Sequence, residues 1–322
     1  MICGTSLWVL VMRYRRLGGW GLRVSEISLG SNNFGTQVDR PLAIRVIDRA
    51  LELGVNMIDT ANVYTGGKSE EIIGEALKGR RDEVVVATKV GSPVVSNNPI
   101  GGGLSRKHIM WQFKKSLQRL QTDYVDIYYL HRFDPETPLE ETLRTMDYLV
   151  REGFVRYVGV SNFDVKQLEA TWRTCEELGL EKPIVLQPPY NLLRRDIEVE
   201  VAPWCESHGM GVAVYSPLQG GLLTGKYSLG AQPPEGSRAA YNPIYRERWL
   251  TAENLQRVEK YREVAGQLGV DLRELAVAWI LSHRWVSTAI VGASNPAQVD
   301  ENVKALEVNI PQSLLEKLDN QR

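Results

Sequence analysis

Eight short apolar runs rich in β-branched residues alternate along this chain with longer stretches of helical periodicity. This alternation is typical of βα units, in which parallel strands are joined by helices that cover the sheet. The predicted strands lie near 26–29, 56–59, 83–88, 125–130, 155–160, 183–187, 211–215 and 288–291. The predicted helices lie near 41–53, 69–78, 105–121, 138–151, 164–178, 195–208, 271–283 and 296–306, with two more near 252–268 and 312–319. Eight units favour a closed (β/α)8 barrel, the TIM barrel, over an open sheet.

Capping boxes mark several helix starts, because a polar N-cap residue is followed three residues later by Glu or Gln. The pairs are Thr137 with Glu140, Asp164 with Gln167, Asp271 with Glu274, and Asn295 with Gln298. Two segments, 91–104 and 217–250, exceed the usual length of a connection. Both follow strand ends, so we expect them to cover the pocket.

The composition limits the classes of partner. Lys and Arg number 38 against 39 Asp and Glu, a formal net charge of −1, so no basic surface indicates nucleic acid. No apolar run approaches the roughly 18 residues that a membrane-spanning helix needs. Cys3, Cys175 and Cys205 show neither CxxC nor zinc-like spacing, which indicates reduced thiols. We expect a cytoplasmic protein without membrane insertion.

The first residues, MICGTSLWVLV, are apolar and are followed by the positive charges of MRYRRL. A secretory signal has the opposite order, with positive charge before the apolar stretch. We therefore predict a disordered extension over residues 1–11, with Met12 as an alternative start, and one barrel domain over residues 12–322.

Four polar residues lie just past the ends of successive predicted strands. Asp59 and Tyr64 occur in NMIDTANVYTGG, Lys89 in VVVATKVG and His131 in YVDIYYLHRFDP. Because the C-terminal ends of barrel strands open onto one face, we expect the four side chains to converge in one pocket. Taken singly, each also has an ordinary structural role, as a helix cap, a rim aromatic, a solvated strand end or a buried histidine.

An acid, a phenol, an amine and an imidazole together can protonate a carbonyl oxygen. The pKa of a free phenol, about 10, is too high for efficient proton donation, and a neighbouring Lys89 would lower it for Tyr64. Asp59 would keep a buried Lys89 charged, and His131 would orient the substrate oxygen. The 4 histidines show no HxH or HExxH pairing, so no metal site is expected.

The stretches GVNMIDTANVYTGGKSEEIIGEAL, VVVATKVG and YVDIYYLHRFDPETPLEET resemble the aldo-keto reductases, a family of (β/α)8-barrel oxidoreductases that use NADPH. The resemblance extends from about Arg13 to the C-terminus, with the motifs in the family's order. It implies reduction of aldehydes or ketones to alcohols by hydride transfer, with Tyr64 as the general acid. Lys89 and Asp59 would tune Tyr64, and His131 would orient the substrate.

The resemblance also implies an NADPH site along the remaining strand ends. The nicotinamide would be held by Ser161, Asn162, Gln187 and Tyr215, although mouth hydrogen bonds or simple packing would also explain these residues. The pyrophosphate would contact a loop and a nearby cation, comprising Ser216, Pro217, Leu218, Gly220, Gly221 and Lys226. The 2′-phosphate and adenine would lie at the start of the last barrel helix, near Gly292, Ala293, Ser294, Gln298, Glu301 and Asn302. The assignment also includes Gly30, Ser31 and Gln37.

One departure from the family concerns the 2′-phosphate. Many members carry a lysine near Ser294 and an arginine at the position of Gln298, and this chain has neither. It instead resembles the branch that contains potassium-channel β subunits and related bacterial reductases, where Arg238 in PPEGSRAAY would supply the phosphate-pairing cation. We therefore expect NADPH in preference to NADH. The branch permits tetramers, although nothing in the sequence requires an oligomer.

Two other functions remain open from the sequence. The segment GLSRKHIMWQFKKSLQRLQTDYVDIYYL resembles the channel β subunits, which suggests an NADP(H)-binding regulatory subunit with little turnover. Those proteins tend to carry asparagine where this chain has His131, so the histidine favours catalysis on a small-molecule carbonyl substrate. A Schiff-base lyase that uses Lys89 is disfavoured, because Asp59 would keep that amine protonated.

Overall fold

The computed structural model describes residues 12–95 and 98–321, so the predicted extension over residues 1–11 lies outside the described residues. An antiparallel pair, β1 (Tyr14–Arg16) and β2 (Arg23–Ser25), precedes eight parallel strands: β3 (Ile27–Gly30), β4 (Met57–Asp59), β5 (Val85–Val90), β6 (Val125–Leu130), β7 (Val155–Ser161), β8 (Val185–Gln187), β9 (Gly211–Tyr215) and β10 (Val286–Gly292). The eight pair in sequence order, and β10 pairs with β3 to close the barrel. The prediction of a single-domain (β/α)8 TIM barrel is confirmed.

Helices outside the barrel connect the strands. They are α1 (Arg40–Glu52), α2 (Lys68–Ala76), α3 (Arg106–Leu120), α4 (Leu139–Arg151), α5 (Val165–Leu178), α6 (Val201–Ser207), α7 (Arg238–Tyr241), α8 (Pro243–Trp249), α9 (Ala252–Leu268), α10 (Leu272–Ser282), α11 (Pro296–Val303) and α12 (Gln312–Asp319). The sequence patterns missed α7 and α8, and the helix expected over 195–208 begins only at Val201. Pro203 explains the late start, because a proline without an N–H is tolerated in the first turn of a helix but not in its interior.

Side-chain capping fixes some of these helix starts. Asp164 and Asp271 form the predicted capping boxes at α5 and α10. The predicted box at Thr137 is wrong, because α4 starts after Pro138 and the Thr137 hydroxyl donates to Asp134 at 2.7 Å. The short polar side chain of Thr137 thus stabilises the loop before the helix rather than the helix itself.

The β1–β2 hairpin closes the N-terminal end of the barrel. Leu17 and Val24 of this hairpin are fully buried and pack into the barrel interior. Gly18 has a left-handed φ of 64°, and a Cβ at this position would lie 2.3 Å from Gly209 O, just before β9. Only glycine permits this conformation together with such a close approach. The open end of the barrel is therefore the one at the strand C-termini.

Side chains fill the barrel interior above the hairpin. Tyr129 of β6 is fully buried, and a Cβ at Gly159 of β7 would lie 2.5 Å from carbons of its ring. Gly159 therefore makes room for the phenol. A larger apolar cluster lies between barrel and helices, where α1 buries Val46 and Ile47. None of the helices in the described ranges combines the length and apolarity needed to cross a membrane.

Candidate active site

Asp59, Lys89 and Tyr64 form a hydrogen-bonded chain at the open end of the barrel. Asp59 is the last residue of β4, and Lys89 lies near the end of the neighbouring β5. Lys89 Nζ lies 2.6 Å from Asp59 Oδ2 and donates to Thr60 O at 2.7 Å. The same nitrogen lies 3.2 Å from Tyr64 Oη. Both charged groups are buried away from water, and the charge of each is compensated by the opposite charge of the other.

The turn between β4 and α2 holds Tyr64 in this position. Thr65 and Gly67, which follow Tyr64 closely, have φ of 50° and 94°. The Thr65 hydroxyl donates to Phe34 O at 2.7 Å, which ties the turn to the loop after β3. A Cβ at Gly67 would lie 2.7 Å from Arg119 Cδ. The turn therefore needs a glycine at this point, and its conformation fixes the phenol.

Gln187 holds the second oxygen of Asp59. Gln187 Nε2 donates to Asp59 Oδ1 at 2.7 Å, and the residue is only 2% exposed. The hydroxyl of Ser161, at the end of β7, donates to Gln187 O at 2.8 Å. Both residues were expected at the nicotinamide, and in the structure their hydrogen bonds form a buried network at the barrel mouth. That network orients the carboxylate toward Lys89.

The electrostatics of Tyr64 differ in direction from the sequence-based expectation. Burial raises the pKa of Tyr64 above its usual value; Lys89 acts to lower it, as expected, but does not outweigh burial. For Lys89, burial is the largest single effect and acts to lower the pKa, but the charges of Asp59 and Tyr64 and the hydrogen bonds to both side chains together outweigh it and raise the pKa. The pair at rest is therefore a protonated phenol beside a charged ammonium.

His131 lies against Tyr64, just after β6. The two rings meet edge to face with their centroids 6.1 Å apart. Burial, together with the positive charges of Lys89 and Arg132, lowers the pKa of His131 to about 3. The imidazole is therefore neutral at physiological pH, with one nitrogen as donor and the other as acceptor.

Ser92 and Arg132 influence which ring nitrogen of His131 carries the hydrogen. The sequence patterns did not identify either residue. Ser92 Oγ lies 3.3 Å from His131 Nδ1, and Arg132 Nη2 donates to the same Oγ at 3.2 Å. Because arginine only donates, Ser92 accepts from it and can turn its own hydrogen toward Nδ1. This favours the tautomer with the ring hydrogen on Nε2. Both residues follow strand ends, the same signal that identified Lys89 and His131.

Asn162 and Tyr215 lie beside this group. Tyr215 Oη donates to Asn162 Oδ1 at 2.8 Å, and Asn162 Nδ2 donates to His131 O at 3.1 Å. Asn162 has a φ of 60°, a conformation that asparagine adopts more readily than most residues. The structure thus brings these two predicted nicotinamide residues to the edge of the site.

Two cations lie over a pair of glycines in the loop after β9. Gly220 and Gly221 have left-handed φ values of 61° and 96°. A Cβ at Gly220 would lie 2.9 Å from Arg238 Cδ, and one at Gly221 would lie 2.7 Å from Lys226 Nζ. Bare backbone next to cationic side chains suits a phosphate group. The predicted pyrophosphate residues are therefore together in the structure.

Asn191 and Tyr245 anchor this loop, and neither was predicted. Asn191 is fully buried, and its Nδ2 donates to Ser216 O at 2.9 Å and to Gln219 Oε1 at 2.6 Å. Tyr245 Oη donates to Gln219 O at 2.6 Å. The two anchored residues, Ser216 and Gln219, flank the rest of the predicted segment, Pro217 and Leu218. Asn191 could have been recognised from the sequence as a polar amide residue shortly after β8.

Hydrogen bonds join residues within the segment that follows β10. Ser294 N donates to Gln298 Oε1 at 2.8 Å, and Asn302 Nδ2 donates to Gly292 O at 3.3 Å. Asn295 caps α11, and its side chain accepts from the Gln298 N–H. Four of the predicted adenine-end residues, Gly292, Ser294, Gln298 and Asn302, are thus joined in pairs by hydrogen bonds around the start of this helix.

The remaining predicted cofactor residues differ in their surroundings. Ser31 is fully buried, and its hydroxyl donates to the last carbonyl of β4 at 2.7 Å. Gly30 ends β3, and Gln37 is exposed in the loop that follows. Glu301 forms an ion pair with Arg273 of α10. Ser31 and Glu301 therefore already have partners within the protein.

Comparison with known proteins identifies the family. The family model described as "Aldo/keto reductase family" matches residues 26–321. The chain belongs to the aldo-keto reductase family. Two relatives bear the name "Probable voltage-gated potassium channel subunit beta": one from Arabidopsis thaliana is 41% identical over 305 residues, and one from Oryza sativa subsp. japonica is 41% identical over 303 residues. Each alignment covers 92% of this chain and 92% of the relative. The resemblance predicted from the sequence is confirmed.

The described part of this aldo-keto reductase offers little other reactive chemistry. Among residues 12–95 and 98–321, no three His, Cys, Asp or Glu side chains come together as ligands for a metal ion. Cys175 and Cys205 are free and buried, and burial raises the pKa of each thiol to about 12. Cys3 lies outside the described residues. The group around Tyr64 is therefore the strongest candidate for a reaction centre.

Proposed function

We propose that this aldo-keto reductase is a cytoplasmic, NADPH-dependent enzyme that reduces aldehydes or ketones to alcohols. The observation that carries the proposal is the buried chain from Asp59 through Lys89 to Tyr64, with the neutral ring of His131 against the phenol. A phenol supported in this way can give its proton to a carbonyl oxygen. The proposed substrate is a small carbonyl compound.

The chain's own residues supply the proton and orient the substrate. When bound, NADPH supplies the hydride that reduces the carbonyl carbon. Tyr64 donates its hydroxyl proton to the carbonyl oxygen, which completes the alcohol and leaves a phenolate. Lys89, 3.2 Å from the phenol oxygen, stabilises that negative charge. His131 donates a hydrogen bond from Nε2 to the carbonyl oxygen and holds it in front of Tyr64.

The residues around the strand ends fit NADPH. Gly220 and Gly221 expose backbone beside Arg238 and Lys226, a surface that would hold phosphate groups. Asn162 and the other residues near His131 would hold the nicotinamide. Because Arg238 adds a cation that a 2′-phosphate can pair with, we propose NADPH in preference to NADH. Comparable kcat/KM with the two cofactors would contradict this preference.

The pH dependence of carbonyl reduction is expected to show no inflection near 6.5, the usual pKa of histidine. His131, with a pKa of about 3, is already neutral there, and the raised pKa of Tyr64 keeps the acid protonated through neutral pH. Activity should therefore fall only on the alkaline side, as the phenol loses its proton. A profile of kcat/KM at saturating NADPH tests this. An inflection near 6.5 that vanishes in His131→Gln would contradict the neutral ring.

A spectroscopic assay of NADPH oxidation against aldehydes, ketones and dicarbonyls tests the proposed function. Turnover of any of them supports the reductase. NADPH binding without turnover across the panel would instead favour the second candidate, an NADP(H)-binding regulatory subunit. The names of the two relatives motivate that alternative. Co-purification with a membrane partner would strengthen it.

A further inference from the structure

We propose that the guanidinium of Arg132 binds a carboxylate of the substrate, so that the preferred substrates are aldehydes or ketones that also carry a carboxylate. This inference rests on the proposed reductase function and names the substrate class of the same site. It follows from the position of Arg132 beside His131, from its unused hydrogen-bond donors and from the charges around the mouth of the site.

The hydroxyl of Ser92 connects the guanidinium of Arg132 to the imidazole of His131, the ring proposed to bind the substrate oxygen. Arg132 directly follows His131 after β6, and its Nη2 donates to Ser92 Oγ at 3.2 Å. The same oxygen lies 3.3 Å from His131 Nδ1. Ser92 is buried, whereas Arg132 is exposed. The guanidinium is therefore held by a buried anchor at the edge of the site and faces solvent beyond it.

Most donors of Arg132 remain available to a ligand. A guanidinium carries five N–H groups, and within the described residues its side chain makes only the hydrogen bond to Ser92 and no ion pair. Asp134 is the nearest acid in sequence, but it is already engaged. Its carboxylate accepts from Leu104 N at 2.7 Å, from Glu136 N at 3.0 Å and from the Thr137 hydroxyl at 2.7 Å. A planar carboxylate matches the fork of an unpaired arginine.

The charge around the mouth also favours an anion. Lys89 is compensated by Asp59 inside the barrel. Among residues 12–95 and 98–321, the ion-pair partner of Arg194, on the loop after β8, is Asp196 at 3.4 Å, and that carboxylate is 80% exposed. Burial raises the pKa of Tyr215, while Arg194, Lys89 and Arg132 all act to lower it, so both arginines influence the same part of the site. Positive charge without close compensation attracts anionic ligands.

The test compares two probe aldehydes that differ in charge but share the reacting group, para-carboxybenzaldehyde and its methyl ester. The native protein with NADPH is expected to have the higher kcat/KM for the acid. In Arg132→Gln the ratio of acid to ester should fall on the order of 10- to 100-fold, mainly through the KM of the acid, because a hydrogen-bonded ion pair is lost. Arg132→Lys should retain part of the preference, since the charge remains.

A charge-matched control separates this site from general electrostatics. Arg16→Gln removes the same charge from an exposed position on β1, at the closed end of the barrel, and should leave the ratio unaltered. If Arg132→Gln lowers the rates of acid and ester equally, Arg132 acts only through Ser92 and His131, and the carboxylate site is wrong. Equal native kcat/KM for the two probes would also overturn it.

The same probes distinguish failure of this inference from failure of the reductase. Turnover of the ester without preference for the acid removes only the role of Arg132. If neither aldehyde is reduced, calorimetric titration of para-carboxybenzaldehyde into the NADPH-loaded protein still decides the point. Tighter binding to the native protein than to Arg132→Gln would uphold the carboxylate site, and equal affinity would overturn it.

Discussion

Replacing Tyr64 with phenylalanine is expected to lower kcat for carbonyl reduction by about 100- to 10,000-fold, the usual contribution of a positioned general acid. The change removes only the hydroxyl that lies 3.2 Å from Lys89 Nζ and keeps the ring that packs against His131. Without that hydroxyl, the carbonyl oxygen has no proton donor. No phenolate then forms for Lys89 to stabilise. Single-turnover measurements on NADPH-loaded protein report the effect directly.

Two controls separate proton donation from binding and folding. NADPH affinity, measured from the fluorescence of the bound nicotinamide, should be the same in Tyr64→Phe and the native protein. Tyr148→Phe removes a hydroxyl from a tyrosine on α4 that is 46% exposed, and it should retain full activity. A Tyr64→Phe protein that turns over at the native rate would show that another group donates the proton.

Asp59→Ala is expected to lower the free energy of unfolding by about 3 to 5 kcal/mol, the range for removing one partner of a buried ion pair. Lys89 is fully buried, and its Nζ lies 2.6 Å from the carboxylate that this change deletes. The hydrogen bonds that the structure then leaves to the ammonium are with uncharged groups, the Thr60 carbonyl and the Tyr64 hydroxyl. Unfolding in urea, followed by tryptophan fluorescence, measures the loss.

A double variant tests whether the loss comes from the unpaired charge. Asp59→Asn combined with Lys89→Met removes both charges, and the asparagine keeps an oxygen for Gln187 Nε2, which donates to Asp59 Oδ1 at 2.7 Å. Most of the stability should return, because no buried charge lacks a partner. Carbonyl reduction should be lost, because Lys89 is no longer present to stabilise the phenolate of Tyr64. If the double variant is as unstable as Asp59→Ala, the unpaired ammonium is not the cause.

The barrel and the positions of its reactive residues could be predicted from the sequence because both follow from local pattern. Each apolar run had the length of a strand, and the polar residue after it had to lie at the open end. The β1–β2 hairpin could not be predicted in this way, since YRR and RVS are three-residue strands without an apolar run. Their structure depends on contacts with distant residues, such as that of Gly18 with Gly209.

The hydrogen-bond partner of Gln187 and the direction in which the pKa of Tyr64 shifts could be determined only from the three-dimensional structure. Gln187 has an amide that could face a ligand or Asp59, and only the 2.7 Å distance between them decides which partner it takes here. The charge of Lys89 indicated a lowered pKa for Tyr64, but burial acts in the opposite direction and is larger. The extent of burial depends on packing of the whole barrel mouth, which no local pattern contains.

The closed end of the barrel has a consequence for the kinetics. Because the β1–β2 hairpin fills that end with Leu17 and Val24, both fully buried, the cofactor and the carbonyl compound of the proposed reaction would have to share the opening at the other end. The molecule whose reacting group lies deeper then has to arrive first and leave last. A cavity with one opening favours a fixed order of binding when two substrates react in it, so in the proposed reaction the closed end of the barrel, although far from Tyr64, would set the sequence of binding and release.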